Sequence, residues 1–157
     1  MEDNESNGPS WGLVLVRLAV GAILAVAGWQ KILGGVGADL VTSTRARVAE
    51  GPVWFESFMN SVVYPFPEAF AQLIQWGELV GGIALFLGAL TRPVGLFTGL
   101  MLICFGLAGP VEQIQFALLL ALCCFSCALS RAGRRLGLDA MLDGHFPAWI
   151  SWTRSEQ

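Results

Sequence analysis

Four apolar runs dominate the chain, at about Trp11–Leu33, Phe66–Leu90, Pro93–Gly109 and Ile114–Leu129. A helix rises 1.5 Å per residue, so crossing roughly 30 Å of hydrocarbon takes about 20 apolar residues. The runs approach that length, and inside lipid a helix satisfies every backbone polar group within itself. The expected fold is therefore an all-α membrane protein, a four-transmembrane-helix bundle. Composition agrees: 55% of the 157 residues are hydrophobic and 13% charged, against about 45–50% and 25% in soluble domains. The length suits one compact membrane domain over 1–157. The third run opens at Pro93, a residue tolerated in a first turn. Gly109-Pro110 separates the last two runs and predicts a hairpin of two short spans rather than one bent helix.

Between the first two runs lies a long loop, Gly34–Pro65. Trp54, Phe55, Phe58 and Val62 in it follow a short amphipathic pattern ended by Tyr64-Pro65, which predicts a short interfacial helix over the bundle mouth. The start, MEDNESNGPS, is acidic and polar where a secretory signal would be basic, so residues 1–10 read as a retained polar tail. Trp149 and Trp152 in the tail 131–157 are candidate interface anchors. Arg92, Arg131, Arg134, Arg135 and Arg154 fall on one side, and Lys31, Arg45 and Arg47 on the other. The positive-inside rule then places both termini in the cytoplasm of a multi-pass inner or plasma membrane protein.

Two charges lie deep inside the runs, away from their ends: Arg17 and Glu78. At a span centre each costs on the order of 2.5–3.5 kcal/mol. Arg17 has two readings: snorkelling to the interface on its long stem, or facing the bundle interior. Glu78 is shorter and more central. It is either a carboxyl locked by packing to fix helix register, or a functional group. Its stripe carries Gly81, Gly82, Leu85 and Ala89, small enough in part to let a second helix approach, so it is expected to face the bundle.

Depth decides the partner. If Lys31 and Arg92 mark opposite membrane boundaries, Arg17 lies roughly 21 Å below Lys31 and Glu78 roughly 21 Å above Arg92. In a core of about 30 Å the two backbones are then roughly 12 Å apart along the normal. Helical side chains lean toward their own N-terminus, which turns Arg17 and Glu78 away from each other and Lys31 toward Glu78. The expected arrangement is a Glu78–Lys31 cluster at one mouth and a separate Arg17 cluster at the other. The strings RLAVGAILAVAGWQK (17–31) and ELVGGIALFLGALTR (78–92) also correspond in register, with Gly21 on Gly82 and Leu24 on Leu85. In helices of opposite direction this would be an inverted repeat, with chance matching of common residues as the competing explanation.

Other chemistry is weakly signalled. Cys124-x-x-Cys127 lies on an apolar helix without the strand–helix context of a thioredoxin-like site, and buried cysteine commonly serves as small apolar filler. His145, the single histidine, is remote in sequence from the thiols, so no metal site is expected. Net charge −3 with no basic stripe argues against nucleic acid. No dinucleotide fingerprint, phosphate loop or nucleophile elbow occurs, so a self-sufficient enzyme is not expected.

Arg17, GWQK (28–31), YPFPEAFAQL (64–73), GELVGGIALFLGALTR (77–92) and RAGRRLGLD (131–139) together resemble the DoxX family of small four-helix membrane proteins. The stretch around Glu78 is the most specific element. The closing segment departs from the family pattern, with Arg131-Ala132-Gly133 and Gly137-Leu138-Asp139 in place of Gly-Pro-Gly and Ser-Leu-Asp. The resemblance implies a membrane subunit tied to redox chemistry, since some relatives are associated with thiosulfate:quinone oxidoreductase or quinol oxidase complexes. It also implies a meeting of Asp139 with Arg17 at the cytoplasmic face. Glu78 and Arg17 are then the candidate catalytic polar groups, and Trp29, Gln30 and Lys31 the candidate quinone-facing ones. A quinone is the implied cofactor, with lipid, redox proteins and further copies of the chain as partners. Two alternatives remain: a structural or assembly subunit with a solid core, and a small proton-coupled transporter with a cavity open to water.

Overall fold

The computed structural model describes residues 11–34, 40–109, 111–130 and 137–140. These form six helices: α1 (Trp11–Gly34), α2 (Leu40–Ala49), α3 (Val53–Phe58), α4 (Pro67–Leu87), α5 (Thr91–Gly106) and α6 (Val111–Leu129). A short 3-10 turn follows at Leu138–Ala140. The polar tail 1–10, the candidate anchors Trp149 and Trp152, and His145 lie outside the described residues.

The architecture is all-helical. Three helices among the described residues are long and apolar enough to cross a membrane: α1, α4, and Glu112–Leu129 within α6. The expected third span corresponds to α5, whose 16 residues rise only about 24 Å. It begins at Thr91, which puts Pro93 in its first turn.

Helices α1 and α4 run antiparallel, as do α4 and α5, and α5 and α6. The α1–α4 and α5–α6 faces are the extensive ones, and slighter seams join the two pairs. Lipid tails are as apolar as leucine, so helix association in a bilayer depends on close packing and not on removing apolar surface from water. Gly21 and Gly82 supply that closeness between α1 and α4. A Cβ on Gly21 would come 2.8 Å from the Gly82 carbonyl oxygen, and one on Gly82 would come 2.8 Å from that of Gly21. Outward-facing Val26, Val80, Ile83, Leu100, Leu119 and Leu122 leave an apolar belt suited to lipid contact.

Pro67 opens α4 with its fixed φ, and Glu68 complements the helix dipole there. At the other end Gly88 adopts φ 66°. Ala89 N–H donates to the Ala84 carbonyl at 2.8 Å, and Gly88 N–H to that of Leu85 at 3.1 Å, a Schellman stop.

The long loop is itself largely helical. Helix α2 was not expected from its polar LVTSTRARVA string, which has no apolar stripe beyond isolated valines. The expected short helix is present as α3 and continues into a π turn at Met59–Val63, where Tyr64 N–H donates to the Met59 carbonyl at 2.8 Å. Its buried stripe is Phe55, Met59 and Val63, while Trp54, Phe58 and Val62 of the expected pattern face outward. The segment is apolar on both faces, and this left the choice of inner face to the contacts beneath it. Val48, Phe55, Met59, Val63, Ala71, Ile74 and Ala108 form one core cluster at this end, while Val20, Leu24, Leu85, Leu102, Leu120 and Cys124 belong to a second, deeper one.

Candidate functional site

Glu78 is 5% exposed in the middle of α4. The Lys31 ammonium donates to its Oε1 as an ion pair. Close packing explains the meeting: Gly28 of α1 lies against Leu79 and Gln75 of α4. Lys31, three residues on, falls on nearly the same face. Glu78 Oε2 is buried with no hydrogen-bond partner among the described residues. Burial of Glu78 strengthens the attraction, while the partly exposed Lys31 side chain keeps some contact with solvent.

The pair borders a cavity of about 370 Å³ between the two helix pairs. Leu24, Ile74, Met101, Leu102, Phe105 and Leu120 wall it, and Ser43, Thr44 and Gln113 add polar groups. Two apolar lining residues are well exposed, Ile23 in the middle of α1 (42%) and Phe116 toward the start of α6 (52%). Ser43 of α2 and Gln113 of α6, at the Lys31 end, are exposed lining residues as well, so the rim of the cavity is partly apolar and partly polar. Size, apolar walls and few polar groups match the usual make-up of small-molecule sites.

Helix α2 covers the Lys31 end. Ser43 and Thr44 line the cavity from it, and Val48 anchors it in the core. The Thr44 hydroxyl shares a hydrogen bond of 3.2 Å with the Tyr64 hydroxyl, and the Arg45 guanidinium lies 6.0 Å from the centre of the Tyr64 ring. Sequence reading missed Ser43, Thr44 and Gln113. Their only signal was polarity, which read as ordinary loop and helix-end character.

Arg17 is fully buried in α1 at the opposite end of the bundle. Its guanidinium lies where a side chain on Gly88 would fall, with Gly137 beside it. Cys127 and Asp139 are the groups within its electrostatic reach. Asp139 completes this inner knot. Its Oδ1 accepts from Leu90 N–H at 2.6 Å and its Oδ2 from Thr91 N–H at 3.1 Å, while its own N–H donates to the Gly88 carbonyl at 2.8 Å. Leu90 at the N-cap of α5 has no capping side chain and a φ of 50°, so Asp139 supplies the anionic cap from far along the chain.

The candidate residues therefore separate. Glu78 and Lys31 come together at the cavity, whereas Arg17 belongs to the inner knot. Trp29 and Gln30 are exposed on α1 and are not among the cavity's lining residues. Cys124 and Cys127 are buried free thiols in the packed core. No group of three or more His, Cys, Asp or Glu side chains placed to hold a metal occurs among the described residues.

Comparison with curated proteins and with solved structures yields no match. The DoxX family model matches residues 12–110, which takes in both halves of the Glu78–Lys31 pair and the covering α2–α3 segment. The closing segment 131–139 lies beyond the match. With more than half of its length covered, and with helices suited to several membrane crossings, this chain belongs to the DoxX family of membrane proteins.

Proposed function

We propose that the chain is a quinone-facing accessory subunit of a membrane redox complex. It crosses the bilayer four times, α5 as its shortest span, with both termini on the cytoplasmic side that the positive-inside rule favours. One observation carries the reading: a largely apolar cavity between the helix pairs has the buried Glu78 and its partner Lys31 in its lining. A quinone diffuses in the hydrocarbon layer, and the exposed Ile23 and Phe116 give the cavity an apolar stretch of rim that suits it. Its ring would lie between Leu24, Met101, Leu102 and Phe105, with an oxygen substituent at Glu78 and Lys31. A bound quinone supplies the electron-accepting chemistry. The chain supplies the apolar walls, the orientation, and the Glu78–Lys31 pair as its polar group.

The cavity weighs against a purely structural subunit with a solid core. A transporter needs a route to both membrane faces, and at the far end of the bundle Arg17 and Asp139 are buried. The test is purification in mild detergent, with extraction of co-purifying quinone and identification of co-purifying proteins, for the wild type and Glu78→Gln. A quinone retained by the wild type and lost from the variant supports the proposal. Unchanged quinone and partner recovery would remove Glu78 from any functional role.

A further inference from the structure

The two stretches of the cavity rim differ in chemistry. Ile23 and Phe116 make one of them apolar, whereas exposed Ser43 and Gln113 line the cavity at the Lys31 end. The same two segments carry further exposed charges, Arg45 and Arg47 on α2 and Glu112 on α6. Charge is costly in hydrocarbon, so this stretch belongs to water and not to lipid. Lys31 lines the cavity here, and its side chain keeps 32% of its surface exposed although its ammonium bonds the buried Glu78.

Helix α2 covers this stretch with little to hold it. Of its described side chains only Val48 is buried. Two other ties converge on one residue: the Thr44 hydroxyl meets the Tyr64 hydroxyl at 3.2 Å, and the Arg45 guanidinium lies 6.0 Å from the Tyr64 ring centre. Tyr64 is itself seated against the core cluster around Val63 and Ala71. After α2, Gly51 N–H donates to the Val48 carbonyl at 3.1 Å and Pro52 is extended, so a turn and not a continuous helix joins α2 to α3. Few buried apolar contacts mark a segment that opens at low cost. Opening α2 takes Ser43 and Thr44 off the cavity and leaves Lys31 facing water.

We infer that the polar stretch of rim is a second mouth, open to water, and that α2 is its lid, latched on Tyr64. Water and protons reach Lys31 by this route, while the apolar stretch faces lipid. The Lys31 ammonium thereby exchanges protons with the aqueous phase at its own end of the bundle. The mouth does not depend on what occupies the cavity, so it goes beyond the quinone-facing reading and stands or falls separately from it.

Lys31 is the single lysine of the sequence, which makes its reactivity a direct readout. The full chain in lipid nanodiscs is treated at one fixed pH with a sulfonated, membrane-impermeant amine reagent. Peptide mapping follows Lys31 against a free lysine peptide in the same sample. The wild type is expected to label, but more slowly than the free peptide, because the reagent waits for the lid. Tyr64→Phe and Thr44→Val each remove one partner of the latch and are expected to speed labelling about two- to tenfold. The double variant should be no faster than the quicker single one, since the same bond is lost in all three. Lys31 left unlabelled in the wild type and in both variants overturns the aqueous mouth. A rate equal to that of the free peptide, or one that neither latch variant changes, overturns the lid.

Discussion

Gly21 and Gly82 meet backbone to backbone, and they do so reciprocally. Gly21 faces the Gly82 carbonyl and the backbone of Phe86, while Gly82 faces the Gly21 carbonyl and the backbone of Ala25. The register that aligns 17–31 with 78–92 also pairs Gly21 with Gly82 and Ala25 with Phe86. The internal likeness of the two strings thus has a packing counterpart, a local two-fold relation centred on the glycines. Arg17 and Glu78 each stand four residues before their glycine, about 6 Å away in opposite directions. This relation sends one charge to each end of the bundle.

Gly82→Ala is expected to force α1 and α4 apart and to destabilise the chain by about 1–3 kcal/mol, because the added methyl meets backbone atoms that cannot rotate away. Gly21→Ala should cost a similar amount. The double variant should cost less than the sum, since the first methyl already opens the seam. Thermal unfolding in detergent measures all three, and full additivity would argue against a shared contact.

Lys31→Met leaves the buried Glu78 carboxylate with neither oxygen bonded. The expected loss is about 1–3 kcal/mol, toward the lower end because the lysine side chain retains some access to water. Pairing Lys31→Met with Glu78→Leu should restore most of that stability, because two apolar groups require no partner. A double variant less stable than Lys31→Met would contradict the ion pair as drawn.

Asp139→Ala removes the acceptors for the Leu90 and Thr91 N–H groups and is expected to cost about 1–2 kcal/mol, as loss of a helix cap does. Asp139→Asn retains one carbonyl oxygen and should cost less. Hydrogen exchange should locate the effect in the first turn of α5, with the Lys31 end unchanged.

Tyr64→Phe deletes the hydroxyl that meets Thr44 while keeping the ring beneath Arg45. Loss of one such bond costs about 0.5–1.5 kcal/mol locally. Amides of 40–49 are expected to exchange several-fold faster, with those of α4 unaffected. Protection unchanged over α2 would show that the Thr44–Tyr64 hydrogen bond does not hold it in place.

Much of the site was legible before any coordinates. Small residues beside Glu78 turned it inward, and depth with side-chain lean assigned it to Lys31 and away from Arg17. Trp29 and Gln30 were grouped with Lys31 on sequence adjacency, yet consecutive helical residues are separated by about 100° around the axis. With Gly28 facing α4, three successive residues could not share one face. Asp139 was assigned to Arg17 through the resemblance. Its capping of Leu90 and Thr91 had no local signal, because the cap comes from a segment far along the chain.

The sequence by itself determined the apolar spans, the inward stripe of α4 and the ends to which Glu78 and Arg17 belong. Those follow from rise per residue, periodicity and the cost of charge in hydrocarbon, all properties of single helices. Only the tertiary structure decided that α2 folds over the Lys31 end, that Met59 and Val63 turn inward, and that a cavity separates the two helix pairs. Those features arise where several helices meet, and a void is set by the distances between neighbours rather than by the period of any one of them.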